Sequence, residues 1–380
     1  MMSADASSVV TVVRLEGVVM DLPVMPPVQP MLAKSVKGIP DPASVDGGLS
    51  YEPKWDGFRC LVFRDGDDVI LASRSTKELT RYFPELVEAL KANVPDRCVL
   101  DGEIFIAIDG RLEFDCLSER IHPADSRVQM LAEKTPSSFV AFDLLALGDE
   151  SFVEQPFSLR SARLDEALAS ARPPIHVTRR TTDAAEAEVW FGRFEGAGLD
   201  GVVAKALAKP YAPNGRTMLK IKHSRTADVV VAGYRLHKTS TEEKPLLGSM
   251  LLGLYDDGGK LQHVGVAASF TETRRAELAK ELDELRVELV DHPWGLWQNA
   301  DAQADSRLPG ATSRWSGGKD LSFIPLAPTR VAEVGYEHME GSRFRHTAQF
   351  KRWRPDREPE SCGYGQLEEI VKYDLGDVLL

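Results

Sequence analysis

Residues 52–59 read Glu52-Pro53-Lys54-Trp55-Asp56-Gly57-Phe58-Arg59. What that lysine does governs how the rest of the chain is read. An Asp-Gly pair favours a turn, so Lys54 stands at a strand end with Arg59 just beyond the turn. A lysine there can be mere surface decoration. Free lysine titrates near about 10.4, so an amine that attacks phosphorus near neutrality must be desolvated or placed beside another cation. On the chemical reading Lys54 is a nucleophile. Gly57 then lets the backbone approach a nucleotide, and Arg59 reaches a sugar or phosphate.

Working outward, Tyr51–Arg59, Cys60–Arg64 and Val69–Ser73 alternate apolar and polar residues, with a hairpin turn at Asp65–Asp68. Thr80–Asn93, Leu159–Ala171 and Ala184–Gly196 have helical spacing. Cys98–Ala107 and Phe139–Leu145 look like buried strands, and Gly198–Lys205 like a glycine-marked one. Interleaved strands and helices predict a mixed first domain. After Asp228 the texture changes to short strands (Val229–Arg235, Ser249–Tyr255, Leu261–Val266) and one charged helix, Glu272–Val290. A stretch rich in glycine, serine and proline, Ser306–Pro328, precedes further strands at Thr329–Tyr336 and Phe344–Trp353. Several short strands with one helix fit a small barrel of OB type. The expected fold class is therefore α+β. It divides into a lead over 1–25, a nucleotide-handling domain over 26–227, an OB-fold domain over 228–358 and a tail over 359–380.

Further segments follow Lys54 in order: Ser73-Arg74-Ser75-Thr76-Lys77, Leu100-Asp101-Gly102-Glu103 and Phe139-Val140-Ala141-Phe142-Asp143. After them come Gly198-Leu199-Asp200-Gly201-Val202-Val203-Ala204-Lys205, Leu219-Lys220-Ile221-Lys222 and Arg354-Pro355-Asp356-Arg357. Together with Lys54-Trp55-Asp56-Gly57-Phe58-Arg59, read as K-x-D-G-x-R, this series resembles the covalent nucleotidyltransferases: DNA ligases, RNA ligases and mRNA capping enzymes. Pro27–Ala33 and Arg343–Trp353 make it most similar to small two-domain ATP-dependent DNA ligases of actinobacteria. That family's fold is a nucleotidyltransferase (adenylation) domain followed by an OB-fold, in agreement with the split read from texture.

The resemblance implies roles. Lys54 takes AMP from ATP. Glu52 meets the adenine amino group, Phe142 stacks on the base, and Arg59 and Arg74 contact ribose or substrate phosphate. Glu103 and Asp200 face a divalent metal, Mg²⁺ or Mn²⁺, and Lys220 and Lys222 face the triphosphate. Arg354 and Arg357, with Asp356, orient the leaving pyrophosphate when the OB domain closes over ATP. Asp200 stands where the family commonly has Glu, which puts its direct contact with metal in question. Val264–Phe270 departs from relatives that carry more glycine and a basic residue there. The expected activity is the sealing of breaks in duplex DNA through lysyl-AMP, in DNA repair. The partners implied are nicked or broken DNA and end-joining or excision-repair proteins, with the protein itself a monomer. An RNA ligase, a capping-type guanylyltransferase and a catalytically silent end-binding protein are the alternatives.

Composition permits this without demanding it. The chain has 380 residues, 43% hydrophobic and 27% charged, the balance of an ordinary globular protein. Its net charge of −12 argues against nucleic acid as an average. Charge is uneven, however: Arg216, Lys220, Lys222 and Arg225 form one basic cluster, and Arg343, Arg345, Lys351, Arg352, Arg354 and Arg357 another. Phosphate contacts are local, so two basic strips on an acidic body can hold a polyanion. Four cysteines without CxxC pairing predict buried thiols in place of zinc or disulfides. The apolar stretch Val9–Val13 lacks a preceding basic residue and is not a secretory signal, so a cytoplasmic location is expected. His122, His223 and His346 receive no chemical role.

Overall fold

In the hairpin about Gly66, Cys60, Val62 and Leu71 face one side while Leu61, Phe63 and Ile70 face the other, all buried. A strand pair that is apolar on both faces must be covered on both. The computed structural model describes residues 14–15, 18–299, 302, 308–309, 320–367 and 371–379. The stretch Val9–Val13 and most of Ser306–Pro328 lie outside the described residues. The chain divides into two units, Met1–Lys222 with Ile370–Leu380, and His223–Glu369.

The first unit contains, in chain order, β1 (Ala33–Ser35), β2 (Leu49–Pro53), β3 (Phe58–Asp65), β4 (Asp68–Ser73), α1 (Pro84–Asn93), β5 (Arg97–Phe105), α2 (Asp125–Lys134), β6 (Ser138–Leu147), α3 (Phe157–Ala167), β7 (Ile175–Val177), α4 (Ala184–Arg193), β8 (Val202–Ala206) and β9 (Met218–Ile221), with shorter pieces between. One sheet runs β6-β5-β3-β4, with Glu150–Ser151 on the outer edge of β6 and β7 parallel to it. A second sheet runs β1-β9-β8-β2. Leu86, Leu90, Val128, Leu131 and Leu164 of the helices are buried, and the first sheet's helix-side face packs with Leu86, Leu90 and Leu164. Its opposite face packs with Met218 and Val203 of the second sheet.

Three sequence expectations change here. Tyr51–Arg59 is not one strand: β2 ends at Pro53, β3 starts at Phe58, and Lys54–Gly57 is the crossing between sheets. The Gly57 amide is held there by Glu103 Oε1 at 3.2 Å. A Cβ on Gly57 would run into the Ile104 carbonyl, so the glycine answers to close packing of the backbone. The lead over 1–25 is not separate from the domain that follows, because Met20, Leu22 and Val24 are buried beside Leu61, Phe63 and Val99. Residues 359–380 do not form a single tail either, since the division falls at 369/370. Leu375 and Val378 are buried beside Leu112, Phe194 and Leu199, and the Leu375 amide donates to Gly110 O at 2.8 Å.

The second unit contains β10 (Arg225–Leu236), β11 (Leu247–Tyr255), β12 (Leu261–Ala267), α5 (Glu272–Asp283), β13 (Ile324–Tyr336) and β14 (Gln349–Trp353). Its sheet order is β12-β11-β10-β13-β14, and the Ala267–Ala348 bridge joins the two edges. That closure gives the OB-like barrel. Its core is built around Trp294, whose Nε1 donates to Leu261 O at 2.8 Å. The charged helix stops at Asp283 and does not reach Val290. The backbone beyond it pairs with the start of β13: Ala327 N donates to Leu285 O at 2.8 Å and Val287 N to Pro325 O at 3.2 Å. Among the described residues no helix is long and apolar enough to cross a membrane.

Candidate active site

Register brings the lysines together. Glu52 pairs with Val203, which in turn pairs with Lys220, while Val202 pairs with Ile221. Cross-strand partners share a face, and so do residues two apart. Glu52, Val203, Lys205 and Lys220 therefore line one face of the second sheet, with Lys54 and Lys222 at its end. The Lys54 amide donates to Gly201 O at 2.8 Å, and Asp200 N donates to Lys54 O at 2.9 Å. Gly201, at φ +118, has no room for a Cβ against the Ile221 carbonyl. This tight turn delivers Asp200 to the lysine: Lys54 Nζ is 2.6 Å from Asp200 Oδ2, and Lys222 Nζ is 2.9 Å from the same oxygen. Burial works to raise the Asp200 carboxyl, but Lys54 and Lys222 outweigh it and pull it down to about 2.

Across the break, β3 and β5 set Arg59 opposite Glu103. Burial pushes the Glu103 carboxyl up to about 7, against the opposing pull of Arg59 and Lys54. Arg59 forks onto Asp101, with Nε to Oδ1 at 2.5 Å and Nη2 to Oδ2 at 2.6 Å. Its guanidinium lies 4.3 Å from the Phe142 ring centre. Trp55 is buried, stacked on Phe105 at 5.3 Å, and donates from Nε1 to Thr178 Oγ1 at 2.9 Å, which fixes the residue next to Lys54. Arg74 is exposed on the turn after β4, where Thr76 adopts φ +62. Arg354 and Arg357 belong to the second unit. Arg354 Nη1 is 2.9 Å from Asp228 Oδ1 and its Nη2 is 2.8 Å from Asp356 Oδ2, while Arg357 Nε is 3.3 Å from Asp228 Oδ2.

Four participants were not singled out from sequence. Asp101 and Lys205 lie inside quoted motifs and could have been flagged there: Asp101 anchors Arg59, and Lys205 Nζ pairs with Glu52 Oε2 at 2.8 Å. Asp143 is fully buried and forks onto Arg160 at 2.7 and 3.0 Å, tying β6 to α3. Tyr211 donates to Asp101 Oδ2 at 2.6 Å, and a lone tyrosine between prolines carries no pattern that announces this.

Asp200 pairs with Lys54, and Glu103 lies close enough to feel its charge. Among the described residues no group of three or more His, Cys, Asp or Glu gathers as a metal cage. Two carboxylates suit Mg²⁺, which commonly takes one or two together with phosphate oxygens and water. A dication would also relieve the cost of ionising the buried Glu103.

A lysine at the crossing between two packed sheets, with an OB-like barrel following, is the arrangement of a nucleotidyltransferase. Residues 30–222 match the ATP dependent DNA ligase domain, and residues 243–357 match the ATP dependent DNA ligase C terminal region. The chain belongs to the ATP-dependent DNA ligase family. It is 56% identical over 364 residues to DNA ligase C of Mycobacterium tuberculosis, a match spanning 95% of this chain and 99% of that protein. It is 51% identical over 369 residues to DNA ligase C1 of Mycolicibacterium smegmatis, spanning 95% and 99%. A solved Lig E DNA ligase, 18% identical, shares the fold with a TM-score of 0.51, covering 86% of this chain and 99% of that one.

Proposed function

We propose that the chain seals breaks in duplex DNA by transferring AMP from ATP through Lys54. The observation that carries this is the crossing itself, where Lys54 meets Asp200 and Lys222 with Glu103 close by. The unprotonated Lys54 Nζ attacks the α-phosphorus of ATP, a P–N bond forms, and the bond to pyrophosphate breaks. The 5′-phosphate at a nick then displaces the lysine and takes the AMP. Finally the 3′-hydroxyl attacks that phosphate and AMP leaves. Such transfers rest on positioning and charge neutralisation more than on acid–base work.

Lys220 and Lys222 bind phosphate, Glu52 and Phe142 take the base, and Arg59 and Arg74 contact ribose or substrate phosphate. Glu103 and Asp200 would hold Mg²⁺ or Mn²⁺, which when bound neutralises charge on the phosphates. Arg354 and Arg357 serve pyrophosphate departure in the first step. The reading includes a monomer in the cytoplasm working on nicked or broken DNA, with end-joining or excision-repair proteins as companions.

The test is sealing of a nicked duplex with ATP, comparing deoxyribose with ribose on both sides of the nick. Joining of the all-DNA duplex is expected. Joining of the all-RNA duplex alone would replace this reading with an RNA ligase.

A further inference from the structure

Lys205, the last residue of the segment that carries Asp200, has no task in the reaction just described. It is 4% exposed and lies among acceptors and rings. Its Nζ stands 2.8 Å from Glu52 Oε2 and donates to Phe142 O at 2.9 Å. It is also 4.8 Å from the Phe142 ring centre and 4.6 Å from that of Phe157. Glu52 is 3% exposed, and its other oxygen, Oε1, is buried without a hydrogen-bond partner. A buried carboxylate oxygen with no donor is costly, and a donor that arrives with a ligand recovers the loss.

The two purines differ in what they bring. Adenine offers an amino group at the position where guanine offers a carbonyl oxygen. An ionised carboxylate only accepts, whereas a protonated one can donate. We propose that Lys205 is a base-specificity residue: by keeping Glu52 ionised and therefore acceptor-only, it makes the site take adenine nucleotides and refuse guanine nucleotides. This rests on the reading that Glu52 meets the base.

The other charges acting on Glu52 are Arg180 and Asp143. Arg180 is engaged by Asp165, and Asp143 by Arg160, which leaves Lys205 as the direct partner. The Glu52 carboxyl is raised on balance: burial drives it up, and Lys205, the largest force against burial, limits the rise. With Lys205 neutralised, Glu52 takes a proton and can donate to the guanine oxygen.

The experiment measures initial rates of covalent labelling by α-labelled ATP and by α-labelled GTP. The proteins are the full chain unsubstituted and as Glu52→Gln, Lys205→Met and Lys205→Arg. A glutamine amide both accepts and donates, so Glu52→Gln should lower the ATP-to-GTP ratio at least about tenfold. Lys205→Met should lower it similarly, and Lys205→Arg should keep it within about threefold, because the cation remains. A purely structural lysine would slow both nucleotides together and leave the ratio unmoved. If Glu52→Gln lowers the ratio and Lys205→Met does not, the proposal falls while the Glu52 reading stands. If neither moves it, Glu52 does not meet the base and both fall. Should Lys205→Met not fold by circular dichroism, Lys205→Gln carries the test with the same expected drop. A folded neutral variant labelled by neither nucleotide also overturns the proposal, since Lys205 would then serve the chemistry.

Discussion

Lys54 Nζ and Lys222 Nζ converge on one oxygen of Asp200, at 2.6 and 2.9 Å. Two cations on a largely buried carboxylate hold the amine in place. On the proposed mechanism the attacking lysine is thus positioned before ATP arrives. Phosphate oxygens that draw Lys222 away would leave it to share Asp200 no longer.

Asp200 also makes this site a source of stability. Its carboxyl is lowered from 3.8 to about 2, so its contribution is present above the ordinary carboxylate range and is lost as pH falls toward about 2. Asp200→Asn should cost about 2 kcal/mol in denaturant unfolding at pH 7, and much less at pH 2. An equal cost at both pH values would show that the ion pairs do not stabilise the fold.

Glu103 has the opposite sign. Its carboxyl is raised from 4.5 to about 7, so the group favours the folded state when protonated, and that stability is lost as pH rises through about 7. Without metal at pH 8, Glu103→Gln should therefore raise Tm by at least about 2 °C, a shift that should disappear near about pH 4, below the ordinary carboxylate value. The amide keeps an acceptor for the Gly57 N–H. A lower Tm at pH 8 would mean that the ionised carboxylate is needed by the fold itself.

The same substitution should weaken self-adenylation more than Asp200→Asn does when Mg²⁺ is titrated. Asp200 is one methylene shorter than the family's usual glutamate and is already engaged by two lysines. A larger Mg²⁺ defect in Asp200→Asn reverses that ranking.

Much of this was legible in the chain. Alternation placed the first hairpin, and the ordered motifs around Lys54, Glu103, Asp200 and Lys222 pointed to a single site. The break after Pro53 was not, because Tyr51–Arg59 alternates like one strand and only its pairing with separate sheets divides it. The charged helix ends short of Val290 for a related reason: Glu284–Glu288 suits a helix, but pairing with Pro325 and Ala327 prevails over propensity. Tyr211 and the docked 371–379 segment depend on contacts distant in sequence, which no local pattern encodes.

Arg354 and Arg357 offer a step-resolved prediction. Pyrophosphate is gone once lysyl-AMP exists, so Arg354→Ala and Arg357→Ala should fail to self-adenylate yet still seal a nick whose 5′ end already carries AMP. Equal loss of both reactions would make the segment a DNA-binding strip.

The central claim is that Lys54 carries the AMP, and the direct measurement is covalent labelling by α-labelled ATP, resolved under denaturing conditions, for the unsubstituted chain and Lys54→Ala. The account predicts an acid-labile label on the unsubstituted chain and none on Lys54→Ala, with circular dichroism showing the variant folded. A folded Lys54→Ala that still acquires the label would contradict it.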